Sequence, residues 1–157
     1  RGIYMAVEDV RRFFIERGYK DPVFEMDESS ATVELAAKAV GVEPGRIAKT
    51  LAFKLKDRNI LIVTKGDARI DNKKFKGCFK AKAKMLSAEE VLEVTGHPVG
   101  GVCPFGLKEQ VDVYLDVSLK EYDTVFPAAG SGNSALKISP EEMKDLTNAE
   151  WVDVCQE

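Results

Sequence analysis

Apolar and polar positions along this chain follow two different periods. Val7, Val10, Phe13 and Phe14 recur at helical spacing, and Gly18 stands where a left-handed cap would close that helix. Residues 23–27 read as a short strand, and the Ala-rich run 33–40, closed by Gly41, predicts a second helix. From 49 to 56 the period drops to two: Leu51, Phe53 and Leu55 share one face, and Thr50, Ala52, Lys54 and Lys56 share the other. That is the pattern of a half-buried strand. After the turn-forming Asp57-Arg58-Asn59, the run Ile60-Leu61-Ile62-Val63 is apolar throughout, as in a strand covered on both sides.

Ser87-Ala88-Glu89-Glu90 is a capping box that opens a helix ending near Gly96, and Ser139-Pro140-Glu141-Glu142 opens another with proline in its first turn. Between them lie strand-like segments at 111–116 and 125–128, a Gly-Ser-Gly-Asn turn, and a strand through 136–138. Residues 151–154 add a last strand. Helices and strands mix with short connections, which predicts an α+β fold whose sheet is mixed or mostly antiparallel.

No repeat, low-complexity tract or Pro/Ser-rich linker interrupts the 157 residues, so one domain is expected, burying roughly 70% of the surface of the unfolded chain. Met5 reads as an initiator behind vector-derived or disordered residues 1–4, leaving 5–157 as the domain. No apolar run reaches the length of a membrane span. Cys78, Cys103 and Cys155 are widely spaced and odd in number, which argues for a reducing compartment, the cytoplasm, rather than a disulfide framework.

The net charge of −3 argues against a nucleic-acid partner on its sum alone. Locally the balance reverses: KKFKGCFKAKAK places Lys73, Lys74, Lys76, Lys80, Lys82 and Lys84 in one stretch without an acid. Such a run is either a solvated face or an anion-binding one.

Lys49 carries the sharpest chemical signal, because alternation puts it on the face of Leu51, Phe53 and Leu55. An inward ammonium either snorkels out at the strand end or faces a polar cavity in which an anion meets it. The segment TGHPVGGVCPFG, residues 95–106, holds four glycines and two prolines and is therefore a loop. It is either a plain turn or a set of bare amides able to approach a phosphate or an oxyanion. His97 is the only histidine. With Cys103 six residues away it makes no recognisable zinc site, and no third group orients a Cys–His nucleophilic pair. Neither a metal nor a cofactor is expected.

Ala48-Lys49-Thr50-Leu51, Gly66-Asp67, Thr95-Gly96 with Gly100-Gly101-Val102-Cys103-Pro104-Phe105-Gly106, and Ala129-Gly130 together resemble the YbaK family, in order from about Phe24 to Ile138. That family includes the editing domain inserted in bacterial prolyl-tRNA synthetases. The resemblance implies a barrel-like mixed sheet of six or seven strands flanked by helices, accepting the 3′ acceptor end of a mischarged tRNA and hydrolysing its aminoacyl ester. It implies catalytic roles for Lys49, which would hold a phosphate or the terminal adenosine, and for Gly100, Gly101 and Pro104, whose loop amides would fix the substrate carbonyl. Substrate contacts are implied at Phe24, Thr50, Asp67, His97, Val102, Cys103, Gly130 and Ser131, with prolyl-tRNA synthetase a possible partner. Cysteine-clearing members carry tyrosine where Phe24 and His97 align and aspartate near Ala135, and alanine-clearing members follow the lysine with asparagine rather than Thr50. The expected activity is therefore deacylation of tRNA-Pro carrying a small amino acid, with Ala, Ser, Thr, 2-aminobutyrate and Cys all open. The alternative is a non-catalytic tRNA- or nucleotide-binding module.

Overall fold

A computed structural model describes residues 3–157; of the four residues set aside at the start, Arg1 and Gly2 lie outside the described residues. Helix α1 spans Ile3–Ile15 and buries Val7, Val10 and Phe14, and Gly18 takes the left-handed conformation that ends it. Strand β1 is Phe24–Glu25. Helix α2, Val33–Val40, starts where Thr32 Oγ1 accepts from Leu35 N–H and stops at left-handed Gly41. Strands β2, Ile47–Lys54, and β3, Asn59–Lys65, form a hairpin closed by Leu55 N–H donating to Arg58 O.

Helix α3, Asn72–Phe79, occupies the lysine run, for which the hydrophobic pattern gave no element. Asp71 caps it by accepting from Lys73 and Lys74 N–H, and its only inward anchors, Phe75 and Phe79, sit one turn apart. Helix α4, Ala88–Thr95, has the full Ser87–Glu90 capping box. Strand β4, Asp112–Asp116, then leads through β5, Phe126–Pro127, and β6, Ser134–Ala135, to helix α5, Pro140–Thr147, and β7, Glu150–Val152. The strand expected at 136–138 is shifted, since Ile138 makes only an isolated bridge to Val125.

Among the described residues the single-domain α+β fold thus carries seven strands, five in the order β5-β2-β3-β4-β7 and two in the ribbon β1-β6. The larger sheet is mixed as expected, but its pairings are parallel except for the β2–β3 hairpin. The reason is connectivity: β3 reaches β4 through α3 and α4, and β4 reaches β7 through the ribbon and α5, and such long crossovers bring strands back in parallel. Both faces are covered. Ala48, Ala52, Leu61, Val63, Val113 and Leu115 face the larger core, and Phe53, Leu55, Ile60 and Ile62 face a smaller one roofed by Phe75.

Candidate functional site

The ladder of β2 explains where the molecule is open. Because Leu55 N–H points to β3, the odd-numbered residues of β2 turn their main-chain groups that way and the even-numbered ones turn theirs outward. Ala48 is covered by β5, and segment 84–86 covers the other end: Lys54 N–H donates to Lys84 O, and Leu86 N–H to Ala52 O. Between them, among the described residues, no strand lies opposite Thr50 on that edge. A cavity of about 430 Å³ fills this notch, walled by α2, by residues 49–52 of β2 and by Gly100 and Val102, with Met85 and Val99 on its lining.

Lys49 is half-buried at the end of the face that Phe53 and Leu55 occupy, so its parity is as the alternation predicted. Its Nζ donates to Ala68 O, and among the described residues no carboxylate pairs with it. Burial lowers the pKa of its ammonium, with Cys155 and Asp67 pulling weakly the other way. One donor is committed and two remain. Thr50 sits on the opposite face, and its Oγ1 is buried without a partner among the described residues, as is Ser30 Oγ. Both residues line the cavity. Ser30 was not singled out by sequence; it lies in the polar stretch ahead of α2, where only its hydrogen bond to Gly132 O reveals its place.

The glycine loop is built by close approach of three segments. A Cβ on Gly101 would lie 2.5 Å from Ser131 N, and one on Gly100, at φ 94°, would lie 3.1 Å from Ala31 Cβ. Gly130 N–H donates to Gly101 O, and Gly101 N–H to Pro98 O. Gly100 and Val102 N–H have no acceptor among the described residues, and both residues reach the cavity.

His97 and Cys103 do not reach it. Both are 0% exposed, whereas the family resemblance implied substrate contacts for them. His97 Nδ1 accepts from Cys103 N–H at 3.3 Å, and Nε2–H donates to Gly106 O at 3.4 Å, so the neutral ring is a buried brace for the loop. Burial lowers its pKa and pushes the Cys103 thiol up to about 12. A thiol in that state is no nucleophile. Pro104, Gly101, Gly130 and Ser131 are buried behind the cavity wall, while Phe24 is partly exposed on β1 opposite Ala135, itself part of the lining. Asp67 is exposed, faces Lys65 at 3.7 Å and does not line the cavity. The structure thus brings Lys49, Thr50, Gly100 and Val102 together and holds the other expected positions outside or behind them.

Among the described residues no group of three or more His, Cys, Asp or Glu side chains is placed to hold a metal, and no helix is long and apolar enough to cross a membrane. The family model of the aminoacyl-tRNA editing domain matches residues 27–146. The chain belongs to the aminoacyl-tRNA editing domain family. The match takes in every cavity-lining segment, from Ser30 to Ala135.

Related proteins align over most of the chain. YwhH of Bacillus subtilis is 52% identical over 155 residues, covering 98% of this chain and 99% of its own. EbsC of Enterococcus faecalis, named provisionally as a Cys-tRNA(Pro)/Cys-tRNA(Cys) deacylase, is 30% identical over 138 residues, covering 87% of this chain and 84% of its own. A crystal structure described provisionally as a trans-editing enzyme for prolyl tRNA synthetase superposes with a TM-score of 0.88 at 32% identity, covering 97% of this chain and 98% of that one.

Proposed function

We propose that the chain is a free-standing aminoacyl-tRNA deacylase that hydrolyses the ester of a mischarged tRNA, with tRNA-Pro carrying a small non-cognate amino acid as its substrate. The observation that carries this reading is a cavity lined by Lys49, by two residues with unpaired hydroxyls and by two loop residues with unpaired amides, close to a thiol too buried and too basic to attack. Such a site binds and orients; it supplies no protein nucleophile. Water attacks the ester carbonyl, either directly or after the acyl group has moved to the neighbouring ribose hydroxyl; the carbon–oxygen bond to the ribose breaks, the amino acid leaves with the water's oxygen in its carboxylate, and the ribose oxygen takes up a proton.

Lys49 is suited to a phosphate or ribose oxygen of the terminal adenosine, since one of its three N–H donors is held by Ala68 O. Gly100 and Val102 N–H are suited to the carbonyl oxygen as its charge develops. The apolar lining, with Ala36, Ala52, Ala88 and Ala135, suits a small side chain. The relatives named as a deacylase and as a trans-editing enzyme support the same reaction and an association with prolyl-tRNA synthetase, in the reducing cytoplasm where tRNA is charged.

The test is a panel of tRNAs mischarged with Ala, Ser, Thr, 2-aminobutyrate and Cys, with prolyl-tRNA as control. Turnover of at least one mischarged species, spared prolyl-tRNA, and a loss of about 100-fold or more in Lys49→Ala are expected. Turnover no faster than buffer across the panel sinks the reading, and tRNA affinity retained without hydrolysis leaves the binding module in its place.

A further inference from the structure

The lysine run is a charged feature that the cavity chemistry does not use. Of its six lysines, Lys74 alone is ion-paired among the described residues, with Asp153 and Glu157. Lys73, Lys76, Lys80, Lys82 and Lys84 are exposed, and no carboxylate lies within 4.0 Å of any of them. In a chain whose net charge is −3, this concentrates unneutralised positive charge at one edge.

Its placement is set by the smaller core. Phe75 and Phe79 pin α3 over that face of the sheet, and Ala81 and Ala83 tuck against the same core. Alternation then turns Lys82 and Lys84 outward on one side of an extended segment, about 7 Å apart. That segment runs into the Phe53–Met85 bridge, where Met85, 57% exposed, stands at the cavity together with Val99, 64% exposed. A row of lysines therefore ends at an apolar lip, and the lip opens into the cavity.

We propose that this edge is the track for the single-stranded 3′ end of the RNA: Lys76, Lys82 and Lys84 hold successive backbone phosphates, and Met85 offers a polarizable platform to the last base as the ester enters the cavity. The inference rests on the deacylase reading for its occupant. Charge complementarity selects a polyanion, and the apolar lip beside the cavity selects one that ends in a base.

The deciding experiment compares wild type with a Lys76→Glu, Lys82→Glu, Lys84→Glu variant on two substrates: a mischarged tRNA, and the same amino acid esterified to adenosine, which has no phosphodiester. Three phosphate contacts give a salt slope near −2, so moving from 50 to 200 mM salt weakens the wild type about 20-fold through them. The variant is expected to lose that dependence and raise KM for the tRNA at least tenfold, with the adenosine ester turned over at the wild-type rate. An unchanged KM and slope, or an equal loss on both substrates, overturns the track. If the wild type hydrolyses neither substrate, the deacylase reading fails, and binding of uncharged tRNA still decides this one: salt-sensitive affinity lost in the variant supports it, and affinity retained overturns it.

Discussion

Two stretches of buried polar chemistry lie side by side and are finished to different degrees. In the loop from Thr95 to Gly106 the buried side chains are fully engaged: Thr95 Oγ1 donates to Val91 O and accepts from His97 N–H, and both nitrogens of His97 have partners. In the facing wall, Ser30 Oγ and Thr50 Oγ1 are buried with none. A satisfied network makes a segment rigid, whereas an unsatisfied buried hydroxyl carries a desolvation cost that a ligand can relieve. The loop is thus the template and the wall is the receptor.

The comparison breaks most directly at Gly101. A Cβ there meets the backbone of Ser131 at 2.5 Å, and backbone cannot swing aside, so Gly101→Ala is expected to lower unfolding free energy by about 3 kcal/mol in urea melts. A loss under about 0.5 kcal/mol would mean that the loop yields and is no template.

His97→Ala comes next, at about 2 kcal/mol, because it strands the buried Cys103 N–H and removes the partner of the half-buried Gly106 O. The same residue gives a pH signature. Its folded pKa lies below the ordinary 6.5, so beneath that pH the unfolded chain binds the proton more readily than the fold does. The stability it contributes is complete above about pH 6.5 and declines as pH falls toward the depressed value. Urea midpoints measured from pH 7.5 to 5 should fall more steeply in wild type than in His97→Gln, and parallel slopes would remove His97 as the cause.

The smallest effect is the most telling. Ser30→Ala combined with Thr50→Val removes two unpartnered hydroxyls at nearly constant volume, and the free protein should keep or gain stability by up to about 1 kcal/mol. Substrate KM should rise in the same variant. A clear loss of stability would show that these hydroxyls already have partners in solution.

Helix ends were the most legible part of the fold, because Ser87, Ser139, Gly41 and Gly96 are local devices that act within one turn. Helix α3 was hidden because two phenylalanines supply its whole inward face and lysines surround them. Parallel pairing was hidden too, since it depends on what the crossovers do rather than on any strand's own pattern. For the site, the parity of β2 and the glycine loop pointed to Lys49 and Gly100. Ser30, Met85 and Val99 join them only through packing among segments far apart in sequence. His97 and Cys103 show the converse: their residue types suggest reactivity, and burial cancels it.

The notch at Thr50 also bears on aggregation through exposed strand edges. Bare main-chain groups along a strand invite another chain to pair and seed aggregation. Here the bare stretch is only the interval between β5 and segment 84–86, too short to nucleate a ladder, and the outer strands of the sheet are the two-residue β5, which contains Pro127, and the three-residue β7. The chain can therefore keep a strand open to a small guest without keeping it open to a neighbour.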